Sequence, residues 1–208
     1  MKVELLAITP NSEELIETAG RTCYQSQKRD EHRNRKNFIE GLMKNGHYSV
    51  VEHAYATFRI SGVSRSATHQ LVRHRLCAFS QQSQRYVNEE DFNYVEPESI
   101  ANNPDAHAIF AEFIGAARRS YKKLQQLGIN KQDARFVLPN ACESEIILSS
   151  NFRELRHIFY LRCNKHAQWE IRNIALDMLG IMKEYVPSVF ADFVVDKISG
   201  TANTPFVC

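Results

Sequence analysis

The sequence predicts an α+β fold: a helix-rich single domain over residues 1-208, with a small central antiparallel-type sheet and no Rossmann fold. Three observations predict it. Several segments repeat apolar residues at helical spacing, two short ones read as strands, and neither GxGxxG nor GxxxxGK[ST] occurs. Internal repeats, low-complexity tracts and Gly/Ser linkers are absent as well.

In chain order, 11–19 and 30–45 read as helices, the second basic and amphipathic and closing at Gly46. Ala54 to Ile60 carries Tyr55, Thr57, Phe58 and Ile60, aromatic or β-branched, and reads as a strand. Ser64 to about Arg73 is a short helix with Val63, Ala67 and Leu71 spaced by four. Residues 76–102 lack a helical period and are expected to be loops. Asn103-Pro104 opens the clearest helix, whose stripe is Ile109, Phe110, Phe113, Ala117, Tyr121 and Leu124, with Gly128 as a left-handed cap. Asn130 caps a shorter helix that Pro139 stops. A strand is expected over Glu145 to Ser149, then helices near 151–163 and 166–186. The last of these bears Ile171, Ile174, Ala175, Met178, Leu179 and Met182.

Composition narrows the function. The 208 residues hold 26 Lys+Arg against 24 Asp+Glu, a net charge of +2, so the chain is no polycation built to coat nucleic acid. No apolar run approaches the roughly 18 residues of a membrane span. The start Met1-Lys2-Val3-Glu4 puts an acid where a signal peptide has its apolar stretch, and a cytoplasmic location is expected. The five cysteines contain no CxxC pair, and the eight histidines show no metal-ligand grouping, so no metal is expected.

The charge is unevenly spread. The 36 residues from His53 to Asn88 contain five Arg (Arg59, Arg65, Arg73, Arg75, Arg85) and three His (His53, His69, His74), but no Asp, Glu or Lys. Arg is a planar fork of donors that fits phosphate and carboxylate oxygens, so the window points to a bound anion. The competing explanation is pairing with acids elsewhere in the fold. Around Ser80, Gln81, Gln82, Ser83 and Gln84, hydroxyls and amides stand beside the cations, a set that can also read the polar edge of a planar ring. Later, Arg162 shares a stripe with Leu155, Ile158 and Phe159, so it either snorkels out or meets a partner in a pocket. Arg153 and His157, four apart on a neighbouring face, can contact a second anionic group.

The stretch Arg73-His74-Arg75, seven residues, Ser83, then Arg85-Tyr86 resembles the RHR-x7-S signature of flavin-dependent thymidylate synthases. Three more stretches resemble that family in the same order: Gly46-His47 with Glu52-His53, Ala134-Arg135-Phe136-Val137-Leu138-Pro139, and Leu161-Arg162 with His166-Ala167-Gln168-Trp169-Glu170. The resemblance implies FAD as cofactor, NADPH and 5,10-methylenetetrahydrofolate as co-substrates, dUMP as substrate, and a homotetramer with shared active sites. It implies dUMP contacts at Gln70, Arg73, Gln81, Gln82, Ser83, Gln84, Arg85, Arg135 and Arg162, with Arg162 catalytic. FAD contacts are implied at Ser49, Arg73, His74, Arg75, Gln81, Asn151, Arg153 and His157, and His47 and His53 fall near flavin and folate. It also implies chemistry without a Cys nucleophile. Many members carry an acid near Gln81 and Asn near Ser80, and an amide is common where His157 stands. Two other classes compete: a nucleic-acid-binding module using the Arg/Gln strip, against which scarce Lys and a near-neutral total speak, and a flavin reductase without methyl transfer.

Overall fold

The computed structural model describes residues 1–23, 25 and 34–206. A four-stranded antiparallel sheet lies at its centre in the order β1-β2-β4-β3, formed by β1 (Lys2–Ile8), β2 (Tyr55–Ser64), β3 (Ala78–Gln81) and β4 (Glu143–Asn151). The expected helix-rich α+β architecture is what the chain adopts, and the antiparallel sheet is not of Rossmann type.

Alternation explains the sheet. Ala56, Phe58 and Ile60 of β2 point into the core, while Tyr55, Thr57 and Arg59 point away from it. On β4 the buried set is Ser144, Ile146, Leu148 and Ser150, and the register pairs Phe58 with Leu148 and Ile60 with Ile146. A one-residue slip would turn both apolar rows toward solvent, so this register is strongly specified.

The helices are α1 (Ser12–Cys23), α2 (Arg35–Lys44), α3 (Arg65–Leu71), α4 (Glu98–Ala101), α5 (Pro104–Gln126), α6 (Lys131–Ala134), α7 (Phe152–Arg162), α8 (Trp169–Tyr185) and α9 (Pro187–Phe190). Two 3-10 turns, Tyr48–His53 and Arg135–Val137, interrupt the connections, and a hairpin of β5 (Val194–Asp196) and β6 (Thr201–Asn203) follows α9. The expected start of the second helix at 30–33 lies outside the described residues. α8 buries all six residues of its expected stripe and packs against β1, β2, α3 and α7. Its larger apolar side chains each contribute about 1.5–3 kcal/mol by leaving water.

Three sequence expectations change. The 76–102 segment is not all loop: β3 pairs Phe79 with Leu148 and Gln81 with Ile146, and α4 follows. Four residues including Ser80 and Gln81 carry no readable alternation, so this strand exists only through its partner β4. On α5 the buried face is rotated, with Ile114, Ala117 and Tyr121 inside, while Ile109 and Phe113 remain 71% and 55% exposed. The helix turns toward a small cluster containing Phe92 and Cys142, which sequence spacing does not reveal. Third, α8 starts at Trp169 and not at 166, because the Gln168 side chain accepts from the Glu170 and Ile171 amides at 2.9 and 3.2 Å, so His166 lies between α7 and α8. Strands β1, β5 and β6 and helix α9 were not anticipated. The expected caps at Asn130 and Gly128 form, the first accepting from the Asp133 amide and the second with φ +84°, and Asn103 and Ser64, at the expected helix starts, cap α5 and α3 in the same way.

Candidate active site

The signature begins where α3 ends. Ser64 caps α3 through Ala67, and its own amide and hydroxyl donate to Glu170 at 2.6 and 2.5 Å. Glu170, 3% exposed on the first turn of α8, thereby ties the start of α3 to the core, and α3 in turn sets the direction of Arg73-His74-Arg75.

His74 is the buried member of that triplet, at 5% exposure, whereas Arg73 and Arg75 lie at the surface. Its Nε2 accepts from Arg162 Nε at 3.0 Å, and its Nδ1 faces Glu154 Oε1 at 3.4 Å. Burial first, then the charge of Arg162, then His157, pulls the His74 pKa down to about 4. The imidazole is therefore neutral at pH 7, and the approach to Glu154 is not an ion pair. Burial holds the Glu154 carboxyl above its ordinary range, opposed by His157, and burial also lowers Arg162. The His157 ring meets His74 edge-on, with centroids 6.1 Å apart. Arg162 thus turns inward to a partner instead of snorkelling.

These shifts have a consequence for stability. A histidine depressed by folding takes its proton first in the unfolded chain, so from pH 6.5 down to about 4 the unfolded state binds more protons and stability falls with pH. Glu154 and Glu89, both held high by burial, act with the opposite sign in their own range. The expected outcome is a smaller drop in urea midpoint between about pH 7 and about pH 5 for His74→Gln than for the wild type.

A second group lines a concavity of about 260 Å³: Arg65, His69, Gln84, Arg135 and Phe136, closed by Leu138-Pro139-Asn140. Gln84 is 7% exposed, and its Nε2 is without a hydrogen-bond partner among the described residues. Arg65 is lowered first by burial and then by Arg135, which marks two cations facing one space. Such a cluster of donors can hold an anion. Its volume lies just under the roughly 300–1,000 Å³ usual for small-molecule pockets, which suits part of a nucleotide. Somewhat larger concavities of about 330 and 320 Å³, beside Pro10 and Tyr185 and beside Met43 and Phe206, contain none of the expected site residues. Size alone does not select the site.

The remaining expected residues are distributed as follows. Gln81 is tied down, its Nε2 donating to Thr68 Oγ1 and Ser144 Oγ at 2.9 and 3.1 Å. Gln82 donates to Glu89 at 3.2 Å, and the amide of Arg85 donates to Ser83 Oγ at 3.3 Å in a tight turn. The Arg85 guanidinium lies over the Tyr86 ring at 5.6 Å, and Gln70 donates to the Ser66 carbonyl at 3.5 Å. Asn151 caps α7 by accepting from Glu154 N at 2.8 Å, and Arg153 is paired with Glu52. Ser49 and His53 lie exposed on the 3-10 turn that His47 opens. Of the five arginines in the acid-free window, Arg59 meets Glu145 at 3.7 Å, while Arg65, Arg73, Arg75 and Arg85 have no ion-pair partner among the described residues.

The fold therefore gathers two groups, one around His74, His157 and Arg162 and one around Gln84 and Arg135. Sequence reasoning did not assign Arg65, His69 or Glu154 to a site. The first two stood inside the acid-free window and were findable there, whereas Glu154 carried no signal. No group of three or more His, Cys, Asp or Glu able to hold a metal occurs among the described residues.

The chain is similar to several known proteins. The family model described as thymidylate synthase complementing protein matches residues 4–188. A flavin-dependent thymidylate synthase of Geobacter sulfurreducens is 44% identical over 200 residues, covering 92% of this chain and 86% of the relative. Relatives of the same name from Nitratidesulfovibrio vulgaris and Clostridium tetani are 44% and 41% identical, each match covering 91% of this chain and 85% of the relative.

Proposed function

Since this chain belongs to the thymidylate synthase complementing protein family and is 44% identical to a flavin-dependent thymidylate synthase, we propose that it converts dUMP to dTMP by reductive methylation. The carbon donor is 5,10-methylenetetrahydrofolate, and NADPH is the reductant. The balance is dUMP, methylenetetrahydrofolate, NADPH and a proton giving dTMP, tetrahydrofolate and NADP⁺. The observation that carries this reading is the Arg162–His74 bond, which joins the Arg-His-Arg signature to a stretch 88 residues later. Two parts of the chain that resemble the family only in sequence are thereby brought into one contact.

The residues fit FAD. Arg73 and Arg75 are exposed cations with no acid partner among the described residues, as an anionic dinucleotide requires, and Ser49, His74, Asn151, Arg153 and His157 are its other expected contacts. Bound FAD supplies hydride-transfer chemistry. The protein's part is to bind, orient and balance charge. Arg135, Gln84 and Arg65 hold anionic or carbonyl oxygens of dUMP, with Gln70, Arg73, Ser83 and Arg85 completing its grip and Gln82 braced by Glu89. Gln81 reaches it only after leaving Thr68 and Ser144, so its role is to brace the strand beside the ligand. Arg162 stabilises negative charge that develops on the pyrimidine edge. His47 and His53 stand on the turn assigned to the flavin and folate side.

No cysteine is required as nucleophile. Burial pushes Cys77 up to about 11 and Cys142 and Cys163 up to about 12, so their thiolates are scarce at pH 7. We also assign the reaction to the cytoplasm, in keeping with four free thiols among the described residues, and to a homotetramer with shared sites, as the family resemblance implies. No described helix is long and apolar enough to cross a membrane.

The test is the purified protein's spectrum followed by tritium release from dUMP labelled at C5. A flavin band that shifts with dUMP, and release that requires both NADPH and methylenetetrahydrofolate, are expected. NADPH oxidation with no tritium release would leave a flavin reductase. Steeply salt-dependent binding of long oligonucleotides without flavin would leave a nucleic-acid module.

A further inference from the structure

Arg162 does not present itself alone. Its Nε–H is already committed to His74, which leaves the two Nη groups for a ligand. A guanidinium has no lone pair to offer, so the atom that meets Nε–H must be an acceptor. His74 Nε2 is therefore unprotonated, and the neutral ring carries its hydrogen on Nδ1. Nδ1 faces the Glu154 carboxyl at 3.4 Å, on the opposite side of the ring from Arg162. Glu154 and His74 are 7% and 5% exposed, so water does not readily substitute for either.

We propose that Glu154 is a positioning residue for Arg162: by facing Nδ1–H it holds His74 in the tautomer whose Nε2 accepts from Arg162, and so aims the guanidinium fork. Three features of the fold serve this role. Asn151 accepts from the Glu154 amide at 2.8 Å, which fixes the first turn of α7. Glu154 and Arg162 stand at opposite ends of that one rigid helix, with His74 from the α3 turn inserted between them. Among the described residues the other charged or titratable groups facing the pair are His157 on α7 and Cys77 before β3, and the low pKa of His74 keeps the ring neutral at pH 7. If the ring took the other tautomer, Nε2–H would point at Nε–H, donor against donor, and the fork would be displaced.

This inference rests on the proposed role of Arg162 in the reaction, and its test separates the two. Full-length, FAD-loaded protein labelled with ¹⁵N-histidine is compared as wild type, Glu154→Gln and Glu154→Met, with the His74 signals assigned by their loss in His74→Gln. The wild type is expected to show a protonated Nδ1 and a bare Nε2. Glu154→Gln keeps an oxygen acceptor, and is expected to retain that pattern and to hold kcat within about threefold. Glu154→Met removes the acceptor, and is expected to mix or invert the tautomers and to lower kcat by about 10–100-fold, with KM for dUMP moving much less. A wild-type His74 bearing its hydrogen on Nε2 would overturn the proposal even if the methionine variant failed to fold. So would an unchanged tautomer or unchanged kcat in Glu154→Met, or equal losses of FAD content and Tm in both variants, which mark a merely structural carboxyl. If the wild type makes no dTMP, the proposed function fails while the nitrogen spectrum still decides whether Glu154 sets the tautomer.

Discussion

Arg162→Ala is expected to lower dTMP formation by about 10²–10³-fold or more while helix content and FAD binding persist. The reasoning begins with solvation. Arg162 is half-buried, and burial lowers its pKa with no compensating carboxylate among the described residues, so the fold maintains an unneutralised cation at some cost. An anion or developing negative charge that arrives there is stabilised more strongly than in water, because the site is already organised and partly dry. Arg162→Lys is expected to do little better than alanine. An ammonium is a point charge, and cannot meet His74 Nε2 and present a planar pair of donors together. Steady-state kinetics with circular dichroism checks the outcome, and wild-type rates in Arg162→Ala would remove this residue from the site. Some loss of stability is expected too, about 1–3 kcal/mol, because His74 Nε2 loses its donor in a buried place.

Arg156→Ala is expected to cost the fold about 3–5 kcal/mol, a loss read as a lowered urea midpoint and Tm. Arg156 lies three positions past Arg153 on α7, but it is the largest fully buried side chain among the described residues. Its Nη1 and Nη2 each donate to Asp192 at 2.7 Å, Nη1 also donates to the Val189 carbonyl, and its guanidinium lies 5.0 and 5.5 Å from the rings of Phe193 and Tyr48. Alanine would remove this volume and strand both Asp192 and a buried carbonyl. The contrast with Arg162 is diagnostic: Arg162 variants should lose activity and keep most of their stability, and Arg156 variants should lose stability first. A stable Arg156→Ala protein would show that the Arg156–Asp192 pair contributes nothing net, as buried pairs sometimes do when both partners are replaced together.

The difference between these two arginines shows what was legible. They sit six residues apart on one helix, and both lie near apolar neighbours in sequence. Nothing local says that one is locked to Asp192 behind the helix while the other turns to His74. That distinction depends on Asp192, just past α9 and 36 residues after Arg156, and on His74, 88 residues before Arg162. The acid-free window, by contrast, was readable in full. A charge bias is a property of composition, and four of its five arginines indeed have no ion-pair partner among the described residues. The Asn130 cap was readable for a similar reason, since capping acts within three residues. Strand β3 was not, because its hydrogen bonds come from β4, and neither was the buried face of α5, because Phe92 and Cys142 choose it.

Read alone, the residues gave the apolar stripe of α8, the strands β2 and β4, the caps at Asn130 and Gly128, and the family resemblance carried by the Arg-His-Arg signature. These depend on residue type and short-range spacing, which survive in a linear string. Which cations are neutralised, which nitrogen of His74 meets Arg162, and that Glu154 faces the other one emerge only from the folded chain. Those are questions of burial and of partners far along the chain, and the energy of a charge or a hydrogen bond is set by its surroundings.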